Sequence, residues 1–429
     1  MENKYFKSII GYEAIKHELT MVVDQLINAE KYAALGVTEP HGLLLFGVPG
    51  VGKSTFANNF IDALGRTAFI CRKDKSNGDF VNNIVHIFEK AAESAPSVVL
   101  LDDLDKFANE DEKRRDADEF VTVQTCIDRV KDKRVFVVAT ANNIQKLPES
   151  LIRPGRFDHI LELVCPKGQD AEDIVSHYIA KTPFVSNVDV RLIARLLEGK
   201  SCAELETVIN QAGMYAVFDG RDKVEMRDMV KAILRIIFQA PESFSENTEA
   251  LPLIACHEAG HALIAELLEP GSVNLVTALN HDSHACGVAS IHRDEMYFHS
   301  KKMMENRVMY ILAGKAATEV CYGVVDTGAN SDMRRAFDIV HRFVDDYCSY
   351  GFDRFIFDGQ SSNEVLDRRD SRVASEMTRF YSKTKQLLQK NKDILDALID
   401  KIVEEKTLLG HQVREIIKSV EQSTKAETA

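Results

Sequence analysis

The sequence predicts an α/β domain built on a parallel sheet with flanking helices, then a small helical subdomain, then a mostly α-helical second domain. Three observations carry that expectation. Within residues 1–166, short continuous apolar runs (Gly42-Leu43-Leu44-Leu45-Phe46, Val98-Val99-Leu100-Leu101 and Val135-Phe136-Val137-Val138-Ala139-Thr140) alternate with helical spacing, as strands buried on both faces of a parallel sheet do. Residues 167–237 carry helical periodicity only, at Ile174, Tyr178 and Ile179, at Leu192, Ile193, Leu196 and Leu197, and at Leu205, Val208 and Ile209. The last hundred residues are helical again, with i/i+3/i+4 apolar spacing from Val373 through Leu388 and from Ile394 to Leu398. A chain of 429 residues also exceeds one typical core, so two or three domains are expected.

Composition narrows the function classes. Hydrophobic content of 45% with 28% charged residues is ordinary for a soluble globular protein. A net charge of −13 without a Lys/Arg block argues against nucleic acid as a partner. The eight cysteines stand singly, with no C-x-x-C pair, and read as reduced thiols filling core positions. No apolar run approaches the length of about 18 residues that suggests a membrane span, and Met1-Glu2-Asn3-Lys4-Tyr5 has no signal-peptide pattern. A cytoplasmic protein with no membrane span of its own is expected.

Taken in order, residues 6–37 read as a lead-in and a helix with apolar positions at Leu19, Val22, Val23, Leu26 and Ile27. The first strand then runs into Gly47-Val48-Pro49-Gly50-Val51-Gly52-Lys53-Ser54, with a helix from Thr55 to Leu64 behind it. This is G-x-x-x-x-G-K-S in the setting a phosphate loop needs. Its glycines let backbone N–H groups turn around phosphate oxygens, and the helix N-terminus adds a favourable dipole. Lys53 should reach the β/γ-phosphates and Ser54 a Mg²⁺ ion. The second strand ends in Asp102-Asp103, where Asp102 is expected to hold Mg²⁺ and Asp103 to orient or deprotonate the attacking water. The third ends at Ala141-Asn142-Asn143, which places Asn142 to sense the γ-phosphate or its water.

The second half is organised by His257-Glu258-Ala259-Gly260-His261, inside strong helix formers without a proline. Residues four apart on a helix sit about 40° apart, so both imidazoles can share one metal ion. Glu258, about 60° round from His261, sits where a carboxylate takes a proton from a zinc-bound water. Leu253, Cys256, Gly260, Leu263 and Leu267 form the stripe expected to face the core. Zinc needs a third protein ligand and an open position. Asp332 is the first candidate, behind Ser331 as a plausible N-cap, although alone it reads more readily as a helix-start acid; Glu319 is the second. Ala336, Phe337, Val340, Phe343 and Val344 mark the following helix. Cys286-Gly287-Val288-Ala289-Ser290-Ile291 is a short strand candidate, either an ordinary hairpin or an edge for a peptide. Residues 241–247 read as a polar linker, and the polar stretch from Gln422 to Ala429 as a disordered tail.

The phosphate loop, the paired aspartates, Ala139-Thr140-Ala141-Asn142 and Arg153-Pro154-Gly155-Arg156-Phe157-Asp158 look like an AAA ATPase module. With His257-Glu258-Ala259-Gly260-His261, the helix Ile311 to Glu319 and Thr327-Gly328-Ala329-Asn330-Ser331-Asp332, the chain resembles the FtsH-type AAA zinc metalloproteases from about Phe6 to Ile417. The resemblance implies an AAA large subdomain over 1–166, a helical lid over 167–240 and a zinc metallopeptidase domain over 241–420, with 421–429 as the tail. It implies ATP, Mg²⁺ and Zn²⁺ as cofactors. Ile10, Gly11, the loop residues Gly47, Val48, Pro49, Gly50, Val51, Gly52, Lys53, Ser54 and Thr55, and Asp102, Asn142, His177 and Ala203 would hold the nucleotide. His257, His261 and Asp332 would bind zinc, and Glu258 would serve as the acid–base. Arg153 and Arg156 would act as arginine fingers toward the next subunit of a homohexamer or a co-assembly with related subunits, which feeds unfolded or damaged proteins to the zinc sites.

Three departures shape the expectation. The family carries an N-terminal membrane anchor, whereas here the ATPase motifs begin almost at Met1, so the enzyme is soluble or docks on an anchored relative. Asp103 is one methylene shorter than the family's glutamate, which predicts slow hydrolysis. The family's aromatic pore grip is replaced by Lys75-Ser76-Asn77-Gly78-Asp79-Phe80, with Phe80 packed under the loop. Two further readings stand beside the ATP-driven protease: a nucleotide-gated peptidase with little unfolding power, and a remodelling ATPase with an idle protease domain.

Overall fold

The structure is a computed structural model that describes residues 5–73, 80–107, 117–182, 188–239, 250–281, 285–292, 300–324, 329–347, 349 and 363–428. The chain divides after Val230 into two compact units.

In the first unit, α1 (Glu13–Ile27) and α2 (Ala29–Ala33) lead into β1 (Gly42–Phe46), α3 (Lys53–Leu64), β2 (Thr67–Cys71), α4 (Phe80–Glu93), β3 (Ser97–Leu101), α5 (Ala117–Val130), β4 (Val135–Ala141) and β5 (His159–Glu162). The strands form one parallel sheet in the order β2-β3-β4-β1-β5. β3 and β4 are buried along their whole length, as is β1 up to the half-buried Phe46, which is why they read as unbroken apolar runs. The edge strands β2 and β5 bury little and carry no such signal; neither was foreseen. Register aligns the strand ends: Leu44 and Leu101 both pair with Ala139. The phosphate loop, Asp102 and Asn142 therefore leave neighbouring strands at the carboxyl end of the sheet, where ligands of open α/β sheets bind. On one face, Phe80, Phe88, Phe107 and Phe157 fill a core with α4 and α5, and each such burial contributes about 1.5–3 kcal/mol. Phe80 meets Phe107 edge to face at 5.1 Å, so it packs inward as expected; residues 75–79 of the expected pore loop lie outside the described residues. In α1, Leu19, Val22, Val23 and Leu26 are buried but Ile27 faces solvent.

The lid stretch is all helix: α6 (Gly168–Lys181), α7 (Val190–Leu196), α8 (Cys202–Phe218) and α9 (Met226–Ile236), the last crossing the boundary between the units. Ser201 starts α8 with a capping box, its hydroxyl and backbone N–H engaging Glu204, an arrangement worth about 1 kcal/mol.

The second unit holds α10 (Leu251–Leu268), β6 (Val273–His281), β7 (Ala285–Ile291), α11 (Lys301–Tyr322), α12 (Asn330–Val344), α13 (Asn363–Lys390), α14 (Lys392–Glu405), β8 (Thr407–Leu409) and α15 (Gly410–Thr428). α10 is long and apolar enough to cross a membrane by composition, yet it lies in the core of this unit. It is buried on nearly every side from Ala255 to Glu266, not on one stripe; Leu253 and Leu267 of the expected stripe are only half-buried. Helices α11, α13 and α14 surround it, and β6 and β7 close another side. Three antiparallel strands form the sheet β7-β6-β8. The strand expected at 286–291 is β7, whereas β6 and the three-residue β8 were not foreseen. On α12, Ala336, Val340, Phe343 and Val344 face inward, but Phe337 points out. The tail expected to be disordered is a correction: α15 runs on to Thr428. Polar as it is, Glu421, Gln422, Lys425, Ala426 and Glu427 are strong helix formers, and propensity outweighed polarity. The expected linker at 241–247 lies outside the described residues.

Candidate active sites

His257 and His261 leave the same face of α10, as their spacing requires, and Asp332 comes to them from α12. His261 Nε2 lies 3.1 Å from His257 Nε2 and 3.2 Å from Asp332 Oδ2, and His257 Nε2 is 3.3 Å from the same oxygen. A tetrahedral zinc ion with bonds of about 2.0–2.1 Å needs its ligand atoms about 3.3 Å apart. The three donors thus already have the spacing of a zinc tetrahedron, and among the described residues they are the one such cluster. The Nδ1–H of His261 donates to the Tyr310 carbonyl at 2.6 Å, which turns the Nε2 lone pair toward the shared point. Burial would raise the Asp332 carboxyl, but hydrogen bonds to both imidazoles hold it well below the usual carboxylate range.

Small residues make room for this geometry. A Cβ on Gly314 of α11 would fall 2.4 Å from His257 Nε2 and 2.5 Å from His261 Nε2, so a side chain there would collide with both imidazoles at their ligating nitrogens. Gly287 of β7, at φ +78°, lies against Glu258, where a Cβ would come within 2.6 Å of Cγ. Glu258 is 5% exposed. Burial pushes its carboxyl up to about 7, against the opposing pull of the two imidazoles and of the Ala289 backbone N–H. A carboxylate poised near neutrality beside a metal suits proton transfer.

Asp332 does not follow an N-cap serine. The helix begins earlier, with Ala329 as N-cap, so Ser331 is already helical and Asp332 sits in the first turn. Thr327 and Gly328 lie outside the described residues. Glu319 is not at the site: Lys385 at 2.7 Å, Lys315 and the Tyr381 hydroxyl take its carboxylate.

In the first unit, Lys53 is 7% exposed and donates to the Gly47 and Val48 carbonyls at 2.8 and 3.0 Å. Burial lowers its pKa, opposed by Asp103, Asp105 and Asp102. Asp102 accepts from Thr140 Oγ1 at 2.8 Å and faces Ser54 Oγ at 3.5 Å, the pair that would share Mg²⁺. Asp103, held at φ 55° by a bond from its N–H to Thr140 Oγ1, accepts from Lys106 at 2.7 Å and from Asn142 Nδ2 at 3.4 Å. Burial raises the Asp103 carboxyl, but Lys106, Arg72 and Asn142 keep it below its ordinary value.

The lead-in and the lid meet the phosphate loop. The Tyr12 N–H donates to Asp170 Oδ1 at 2.8 Å, fixing the turn at Gly11, and its hydroxyl donates to the Val164 carbonyl at 2.9 Å. The Ala203 N–H donates to the Gly50 carbonyl at 3.1 Å. Ile10 is half-buried at the same turn, and His177 lies on the Asp170 face of α6, two turns on. Tyr12 and Asp170 were missed by sequence reasoning, since neither belongs to a phosphate or metal pattern.

The two arginines behave differently. Arg153 is exposed, whereas Arg156 forks onto Asp128, with contacts of 3.1 and 2.7 Å. Asp158 shapes their turn by accepting from the backbone N–H of Gly155 at 2.7 Å and of His41 at 2.6 Å.

Fold and sites together define an AAA module followed by an HExxH metal centre. The model of the ATPase family associated with various cellular activities (AAA) matches residues 43–164, the AAA+ lid domain residues 187–231, and peptidase family M41 residues 245–416. Relatives run almost the whole length. The ATP-dependent zinc metalloprotease FtsH of Pelobacter propionicus is 28% identical, over 97% of this chain and 71% of the relative. That of Thermus thermophilus is 28% identical over 97% and 70%, and FtsH 2 of a Thermoanaerobacter species 26% over 96% and 82%. The chain belongs to the FtsH-type AAA proteases.

Proposed function

We propose that this chain is an ATP-dependent zinc metalloendopeptidase in which His257, His261 and Asp332 hold the metal and Glu258 moves the proton. The observation that carries the reading is the convergence of three ligand atoms at tetrahedral spacing beside one buried carboxylate. Zinc, when bound, supplies Lewis acidity and lowers the pKa of its water. Glu258 takes the water's proton as the scissile carbonyl is attacked and returns it to the leaving amine. Tyr310 keeps His261 in the tautomer that offers Nε2, and Gly287 lets β7 close over Glu258 and exclude water.

In the AAA unit, ATP is held by the loop from Gly47 to Thr55, by Ile10 and Gly11, and by His177 and Ala203 on the lid. Lys53 meets the phosphates, Ser54 and Asp102 hold Mg²⁺, and Asp103 with Asn142 positions the water. We assign the large AAA subdomain to 1–166, the lid to 167–240 and the peptidase to 241–420. Subunits form a hexameric ring of this chain or of this chain with relatives, acting in the cytoplasm on unfolded or damaged proteins. Arg153, exposed, is the finger offered to the neighbouring nucleotide, while Arg156 is committed to Asp128 within its own subunit.

One observation favours a second reading, a nucleotide-gated peptidase with weak hydrolysis: the short Asp103 side chain is tied to Lys106. Degradation of an unfolded protein with ATP, with ADP and with a chelator separates them. The first reading expects cutting that needs ATP and metal and is lost in Lys53→Ala; equal cutting with ADP would replace it by the second.

A further inference from the structure

We propose that Cys256 and Cys321 form an oxidisable dithiol, a site for peroxide-driven disulfide formation that switches the adjacent metal centre off. The register of α10 against α11 places them. Gly260 meets Ala313 and Ala317, His261 meets Tyr310, and a Cβ on Gly260 would lie 2.6 Å from the Ala317 Cβ. Residue numbers rise on one helix as they fall on the other, so the helices run antiparallel at very close approach. One turn along this seam, Cys256 falls opposite Cys321, which packs against the same buried core that holds Cys256. Both are free. Close approach is what a disulfide requires, since Cα atoms beyond about 7 Å cannot be bridged.

The pair is asymmetric in a way that suits oxidation. Cys256 is fully buried, while Cys321 is partly exposed near the C-terminal end of α11. Lys392, the first residue of α14, draws the Cys321 thiol toward its thiolate by its positive charge, and Asp396 anchors the lysine in turn. An ammonium beside a reachable sulfur favours the thiolate, which is the nucleophile. Cys321 thiolate attacks a peroxide oxygen; the O–O bond breaks, leaving a sulfenic acid and hydroxide, which picks up a proton to become water. The Cys256 sulfur then displaces the sulfenic oxygen as a second water, closing the disulfide. Two thiols lose two electrons and two protons, and the peroxide gains them. A small thiol reductant reverses the step.

The consequence follows from position. Cys256 directly precedes His257, and on the same seam Gly314 sits against both imidazole nitrogens with no spare room. An S–S bond of about 2.05 Å is far shorter than a contact between thiols, so closing it draws α10 and α11 together where the ligand spacing is set.

The test treats the zinc-loaded full chain with a small excess of hydrogen peroxide. It reads the products by mass spectrometry of non-reduced peptides and activity with a short fluorogenic peptide. Expected are a Cys256–Cys321 linked peptide, at least a tenfold loss of cleavage, and recovery of both on adding dithiothreitol. Cys321→Ser and, separately, Cys256→Ala should keep cleaving after the same treatment. No linked peptide would overturn the site. A linked peptide with undiminished cleavage, or equal loss in both variants, would overturn the switch. That the switch acts on a zinc peptidase rests on the function proposed above; the linked peptide does not, so an untreated chain that fails to cleave would sink that function and leave the dithiol to its own result.

Discussion

His261 is held at both ends: its Nδ1 donates to the Tyr310 carbonyl at 2.6 Å, and its Nε2 lies 3.2 Å from Asp332 Oδ2. One helix supplies the imidazole, a second the carbonyl that fixes its tautomer, and a third the carboxylate. Nothing in the two-histidine motif says where the other partners come from, yet they set the ligand geometry.

Gly314 tests that geometry without replacing a ligand. In Gly314→Ala the new methyl would stand within 2.5 Å of both Nε2 atoms. Zinc content measured by atomic emission should fall at least tenfold, with the helical circular dichroism spectrum retained. Alanine is the better helix former, so a simple loss of folding is not the expected outcome.

Gly287→Ala should separate metal binding from proton transfer. Its methyl would collide with Glu258 Cγ and Oε1, and φ +78° adds strain. Zinc should remain while kcat for peptide cleavage drops about 10²-fold, the order expected for removing a positioned acid–base.

The two arginines of the Pro-Gly turn should give different phenotypes. Arg153→Ala should lower ATP turnover at saturating ATP with little change in thermal stability, since the side chain is exposed. Arg156→Ala breaks the fork to Asp128 and should lower Tm by a few degrees. Calorimetry and a phosphate-release assay distinguish them; equal Tm losses would contradict the assignment.

Asp158 should carry pH-dependent stability. Burial opposes its ionisation, but the N–H groups of His41 and Gly155 and the His41 ring hold its pKa below the ordinary carboxylate value. A depressed folded-state pKa gives stability that is present above the unfolded value of about 3.9 and lost as pH falls through the folded one. Asp158→Asn should therefore destabilise the AAA unit by about 1 kcal/mol at pH 7, with the difference from wild type shrinking below about pH 4.

Much of this architecture was legible in the sequence. Central strands β1, β3 and β4, buried on both faces apart from the end of β1, announce themselves as apolar runs, and the phosphate loop and His257–His261 spacing are local patterns read along one element. Edge strands β2 and β5 gave no signal because half their residues face water, and β8 is only three residues between two helices. Asp332 needed the family resemblance, because a first-turn acid looks the same whether or not it binds metal. Tyr310 acts through its backbone carbonyl, and Gly314 and Gly287 through the absence of a side chain; such roles exist only once helices and strands are packed. Arg156 is set apart from Arg153 by Asp128 of α5, a partner distant in sequence.

We propose that His257, His261 and Asp332 hold one zinc ion whose water Glu258 deprotonates. Zinc stoichiometry and peptide cleavage measured together on wild type, Glu258→Gln and Asp332→Ala test it most directly. Expected are one zinc per chain with cleavage in wild type, one zinc without cleavage in Glu258→Gln, and neither in Asp332→Ala. Cleavage persisting in Glu258→Gln, or full zinc occupancy in Asp332→Ala, would contradict it.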